Sequence, residues 1–218
     1  MTQRLRLARF SLVFVFLGML ITGILGPVIA RAQEPDSPHA LVITVDGIIN
    51  NVKEGFIARA IDKAEENGAA LLIIQLDTPG GLLSSTREIV ELLLESPVPI
   101  AVFVSPRGAR AGSAGTFITA AGNFAVMAPG TNIGAASPIS ATGDDLADTL
   151  ASKVENDAAA LIRSIAQTRG RNQDKLEETV WAAASYSAQE ALSDNVVDLI
   201  ADDLEDLLAK LDGLIAET

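Results

Sequence analysis

Apolar positions along the chain fall into three patterns. The first is one uncharged, mostly apolar run from Phe10 to Ala30, behind a basic start holding Arg4, Arg6 and Arg9. Its roughly 20 residues match the length that spans a bilayer. The small-x-small triplet Ala30-Arg31-Ala32 matches an export-signal cleavage site. Residues 1–32 are therefore expected to be a signal peptide or, if uncleaved, an N-terminal membrane anchor, with 33–39 a polar linker. Either way the rest of the chain is expected to be exported, on the extracytoplasmic side of the membrane or in the periplasm. The second pattern is the short apolar run. Leu41–Val45, Leu71–Leu76, Pro99–Val104, Phe124–Met127 and Val196–Ile200 read as strands. Leu71–Leu76 shows no polar alternation, as expected of a strand covered on both faces. The third pattern has helical period. Phe56, Ile57, Ala60, Ile61 and Ala64 share a face of a helix over Lys53–Asn67. Ser85-x-x-Glu88 reads as a capping box opening a helix that stops before Pro97. Thr116–Ala121 is apolar and helical, and Asn132–Ile139 reads as extended. Asp144–Arg169 is a long helix striped by Leu146, Leu150, Val154, Ala158, Leu161, Ile162 and Ile165. Lys175–Ala184 and Ser187–Leu192 are shorter helices. Alternating strands and helices predict an α/β fold with a mainly parallel sheet. Residues 40–212 form one domain and 213–218 a tail.

Composition narrows the chemistry. Of 218 residues, 49% are apolar and 20% charged, enough to bury a core. There is no Cys, which excludes thiol nucleophiles, disulfides and thiolate metal sites. The one His, His39, lies in the linker, so neither a multi-histidine metal site nor an ordinary Ser-His-Asp triad is expected. No metal and no cofactor are expected. The formal charge is −12, and no acid precedes Glu34, so the body is more acidic still. Phosphate neutralisation needs Lys and Arg, and nucleic acid is therefore not an expected partner.

Two loops follow buried strands, where α/β sheets place ligands. Asp77-Thr-Pro-Gly-Gly81 can expose N–H groups at its paired glycines; taken alone, a plain tight turn is the more common use of such a motif. Arg107–Gly115 sets Ser113 among small residues at the start of a helix, near the positive end of the helix dipole. An N-cap serine is the alternative there. Position 111 is Ala, so the Gly-x-Ser-x-Gly elbow is absent. With His39 tethered far off, a lysine is the remaining base for Ser113. Of the five lysines, Lys153 alone borders a long apolar stripe, where burial would favour the neutral amine. Asp157, one turn on, opposes this. A surface ion pair between the two is the competing reading of Lys153.

At these residues the chain resembles the NfeD-type membrane serine proteases, also called stomatin operon partner proteins. More broadly it is similar to the ClpP and signal-peptide-peptidase A superfamily. The resemblance covers about 40–212 and rests on Asp77-Thr-Pro-Gly-Gly81, Gly108–Gly115 and Tyr186–Asp198 in that order. It implies a ClpP/crotonase-like spiral of β-β-α units and a Ser-Lys dyad of Ser113 and Lys153. It also implies an oxyanion hole from the N–H groups of Gly81 and Ala114, and a substrate loop around Gly80, Gly81 and Gly112. Hydrophobic peptide segments, stomatin-like membrane proteins among them, would be the substrates, and a homo-oligomer, a dimer, the assembly. Longer members continue into membrane helices and a small β-barrel, so the chain is expected to be a short form or a fragment. Position 195 is Asn where many members carry Gly. Two other readings stand beside the protease: a non-catalytic scaffold for a membrane partner, and an acyl-CoA enzyme of the crotonase type, which would leave Ser113 and Lys153 idle.

Overall fold

A computed structural model of the chain describes residues 38–138 and 148–214. The expected signal or anchor, most of the linker and the first turn of the long helix lie outside the described residues. Among the described residues, no helix is long and apolar enough to cross a membrane.

The core is a five-stranded, wholly parallel sheet in the order β1-β2-β3-β5-β8. Its strands are β1 (Ala40–Asp46), β2 (Leu71–Asp77), β3 (Ile100–Val104), β5 (Phe124–Met127) and β8 (Leu199–Ile200). The continuous apolar runs are explained by burial on both faces. On β2 and β3, Leu72, Ile74, Leu76, Ile100, Val102 and Val104 face one layer, and Ile73, Ala101 and Phe103 the other. The first layer is built by α1 (Asn51–Glu66), α2 (Leu83–Leu94), α3 (Ala114–Ala121), α4 (Asp148–Arg169), α5 (Gln173–Trp181) and α6 (Ala188–Ser193). The second is covered by α7 (Leu204–Leu211) through Leu207 and Leu211. A small second sheet joins β4 (Arg110–Ala111), β6 (Asn132–Gly134) and β7 (Ser185–Ser187) in that order.

Several expectations are corrected. Ser85 does not cap a helix. It is buried inside α2, which starts two residues earlier behind Leu82 with no side-chain cap. The capping box lies instead at Ser187 and Glu190, opening α6. The expected helix over Lys175–Ala184 ends at Trp181, and the chain then enters β7. On α4 the apolar stripe is buried at Ala158, Ile162 and Ile165, but Leu150 is half exposed. Helix α7 was hidden by its many acids; Asp203 caps it by accepting from the Asp206 N–H at 2.9 Å.

Candidate active site

Parallel strands bring their C-terminal ends to one edge of the sheet, and three loops meet there. The loop after β2 runs between the other two. On one side the Ile49 N–H donates to the Gly80 carbonyl, and the Leu82 N–H to the Ile49 carbonyl, both at 2.9 Å. On the other, the Thr78 N–H donates to the Arg110 carbonyl at 2.8 Å, and the Gly112 N–H to the Thr78 carbonyl at 2.9 Å. Thr78 is fully buried, and its hydroxyl closes the turn by accepting from the Gly80 N–H at 3.0 Å. These approaches explain the glycines. A Cβ on Gly81 would stand 2.0 Å from the Ile49 carbonyl oxygen, and one on Gly112 would stand 2.9 Å from that of Pro79.

Ser113 ends the third loop with φ 47 and ψ −108. That is the left-handed side of backbone space, which a non-glycine residue occupies only when its surroundings hold it there. The holding contact is visible: the Ser113 N–H donates to the Ala135 carbonyl at 2.7 Å, and the chain then turns directly into α3. Ser113 is thus no ordinary N-cap. Its hydroxyl makes no capping bond and has no hydrogen-bond partner among the described residues. Gly80 presses against it, since a Cβ there would lie 2.7 Å from Ser113 Cβ and 3.3 Å from Oγ.

The Gly81 N–H has no acceptor among the described residues, although the neighbouring Gly80 and Leu82 N–H groups are both bonded. Ala114 is the first residue of α3, so its N–H has no intrahelical acceptor, and none is supplied elsewhere among the described residues. Two N–H groups without acceptors thus belong to residues that line one cleft with Ser113, one of them at a helix N-terminus, where negative charge is favoured. The far end of α3 is capped by cations. Arg171 Nη1 donates to the Ala120 and Gly122 carbonyls at 2.7 and 3.1 Å, and Arg169 Nε to that of Ala121 at 2.8 Å.

Ser113, Ala114, Gly80 and Gly81 open into a cleft of about 680 Å³. Its walls are mostly apolar, with Ile48, Leu82, Leu83, Phe117, Val154 and Ala158 among them. Ile48 and Leu82 are 64% and 49% exposed, a wet rim of large apolar side chains. Gly112 lies beneath, packed on Pro79.

Lys153 is not among the residues that line this cleft. It lies on α4 one residue before Val154, which lines the cleft, but its own side chain is exposed rather than sheltered by the apolar stripe. The competing surface pair is absent. Asp157 is bonded to Arg87 of α2, and Lys153 has no hydrogen bond or ion pair among the described residues. Sequence reasoning missed Arg87, Thr78 and the Ala135 carbonyl. Thr78 stood inside a motif already singled out, whereas the other two act across the fold and left no local signal. Asn195 adopts φ 56, the left-handed turn that Asn tolerates.

A family model described as the N-terminal domain of NfeD1b matches residues 39–214. The chain belongs to the NfeD1b N-terminal domain family. Over 174 residues it is 37% identical to membrane-bound protease PH1510 of Pyrococcus horikoshii, covering 79% of the chain and 40% of that protein. The chain therefore spans well under half the length of this relative. Two solved structures of the 1510-N membrane-bound stomatin-specific protease are 34% identical to it. A lysine-to-alanine variant in complex with a substrate peptide superposes with TM-score 0.77, covering 83% of each chain. A serine-to-alanine variant gives 0.78, covering 84% of this chain and 88% of that one. ClpP1 from Listeria monocytogenes, 18% identical, superposes with TM-score 0.61 over 76% of this chain and 94% of its own. At that identity it speaks for the fold alone: this NfeD1b-type domain has the ClpP-like α/β fold.

Proposed function

We propose that this chain is a serine endopeptidase acting through a dyad of Ser113 and Lys153. The carrying observation is that Ser113, held at φ 47 with its hydroxyl unbonded, lines one mostly apolar cleft together with Gly81 and Ala114, whose N–H groups are unbonded. Family membership supports the reading, as does the protease name of the relative that shares the fold. In the reaction, neutral Lys153 Nζ takes the Ser113 proton and Oγ attacks the peptide carbonyl. The Gly81 and Ala114 N–H groups receive the developing oxyanion. The ammonium then protonates the leaving amine, giving an acyl-enzyme. A water molecule, deprotonated by the same lysine, attacks the acyl carbonyl, and the ammonium returns that proton to Ser113 Oγ as the acid leaves. Closing the dyad requires the Lys153 side chain to swing from solvent toward the cleft.

The apolar walls and rim favour hydrophobic segments as substrate. The related 1510-N enzyme is stomatin-specific, so segments of stomatin-like membrane proteins are the proposed targets. The apolar run before residue 31 and the membrane-bound relative support an exported, membrane-associated enzyme. The exposure of Lys153 favours a second reading, a scaffold that uses the cleft to bind a membrane partner without cleaving it. Ser113→Ala separates the two. It should abolish cleavage of an apolar peptide with unchanged circular dichroism. Parent-like turnover would remove Ser113 from the reaction.

A further inference from the structure

The pairing of Asp157 has a consequence for the proposed base. Lys153 and Asp157 are four residues apart on α4 and so share one face of that helix. This spacing ordinarily lets a carboxylate reach an ammonium, and a carboxylate beside an amine favours the protonated form. A base needs the opposite. Asp157 turns instead to Arg87, one residue after Thr86 in the cleft wall, so the bridge ties α2 to α4 along the edge of the cleft. We infer that Arg87 is a positioning residue: by holding the Asp157 carboxylate it keeps Lys153 unpaired and available as the neutral base. The inference rests on the reading of Lys153 as that base.

Among the described residues, other charges near Lys153 do not replace this control. Helix α3, packed against α4, carries no ionisable side chain. On α5, also packed against α4, Glu177 is bonded to Arg163 and Glu178 to Lys175; Asp174 lies in its first turn. On α2, Glu88 and Glu91 face a separate groove beside Ile61 and Pro97. On α4 itself, Glu155 is two positions from Lys153 and so on another face.

The test is the rate of Ser113 labelling by a fluorophosphonate probe, measured against pH on the full chain in detergent. Arg87→Gln frees Asp157 for Lys153, and the rising limb of the profile should move to higher pH by about 0.3–0.7 unit. Asp157→Asn leaves the Arg87 cation uncompensated, and the limb should move to lower pH. The double variant should return near the parent, and Arg87→Lys should stay there. A purely structural bridge would instead give the same loss of rate in both single variants with no opposite displacement of the limb. Coincident profiles in all variants would overturn the inference while leaving the dyad intact. Parent-like labelling in Lys153→Ala would overturn the dyad and the inference with it.

Discussion

Replacing Gly80 by alanine probes the contact that sets the loop after β2 against Ser113. Gly80 has φ +125, and an added Cβ would fall 2.7 Å from Ser113 Cβ, well inside van der Waals contact. Two costs follow. The backbone conformation is one that L residues rarely adopt, costing about 1–3 kcal/mol. For a chain of this size that is a fall in Tm of roughly 2–12 °C. The clash must also be relieved by moving either Ser113 or the loop that aims the Gly81 N–H. Misplacing a reacting group by about 1 Å costs roughly 10²-fold, and losing one oxyanion donor about 10²–10³-fold. kcat/KM on an apolar fluorogenic peptide should therefore fall about 10²-fold or more. Gly68→Ala is the control. Its φ is +64 and a Cβ there meets nothing within 4 Å, so it carries backbone strain without a clash. It should lower Tm by a few degrees, from a strain of about 1–2 kcal/mol, and leave kcat/KM unchanged. If Gly80→Ala lost stability like Gly68→Ala yet kept parental kcat/KM, the placement of Ser113 against this loop would be refuted as a catalytic requirement.

Two further substitutions test the site and its support. Lys153→Arg should be as inactive as Lys153→Ala in peptide hydrolysis, because arginine stays protonated at any usable pH; near-parental turnover would remove Lys153 from the reaction. Arg171→Met strands the Ala120 and Gly122 carbonyls that its buried guanidinium now satisfies and removes the ion pair to the Asp198 carboxylate, which keeps its bond from the Ala125 N–H. Thermal unfolding should show a loss of about 3 kcal/mol or more, and a loss under about 1 kcal/mol would contradict the anchoring of α3 from its far end.

The parts of this fold that could be read from the chain are those whose physics is local. Leu71–Leu76 announced a doubly covered strand because both of its faces are buried. The glycine motifs announced loops because a Cβ at Gly80, Gly81 or Gly112 would fall 2.0–2.9 Å from a neighbouring atom, which excludes side chains. The small sheet escaped notice because strands of two and three residues show no periodicity. Ser85 was misread because a capping-box spacing also fits a serine buried inside a helix. At the site, the residues of both glycine loops were legible, but the geometry of Ser113 was not, since Ala135 sets it from 22 positions away. Local spacing paired Lys153 with Asp157, whereas a cation 70 residues upstream takes that carboxylate. Burial of Lys153 was inferred from a stripe that stays half exposed at Leu150.

The central claim is that Ser113 is a nucleophile activated by Lys153. Its most direct test is mass mapping of the covalent adduct after a fluorophosphonate is added to the parent chain, Lys153→Ala and Lys153→Arg. The account predicts one adduct on Ser113 in the parent and none at matched time in either variant. An adduct on another residue, or equal labelling of Ser113 in all three proteins, would contradict it.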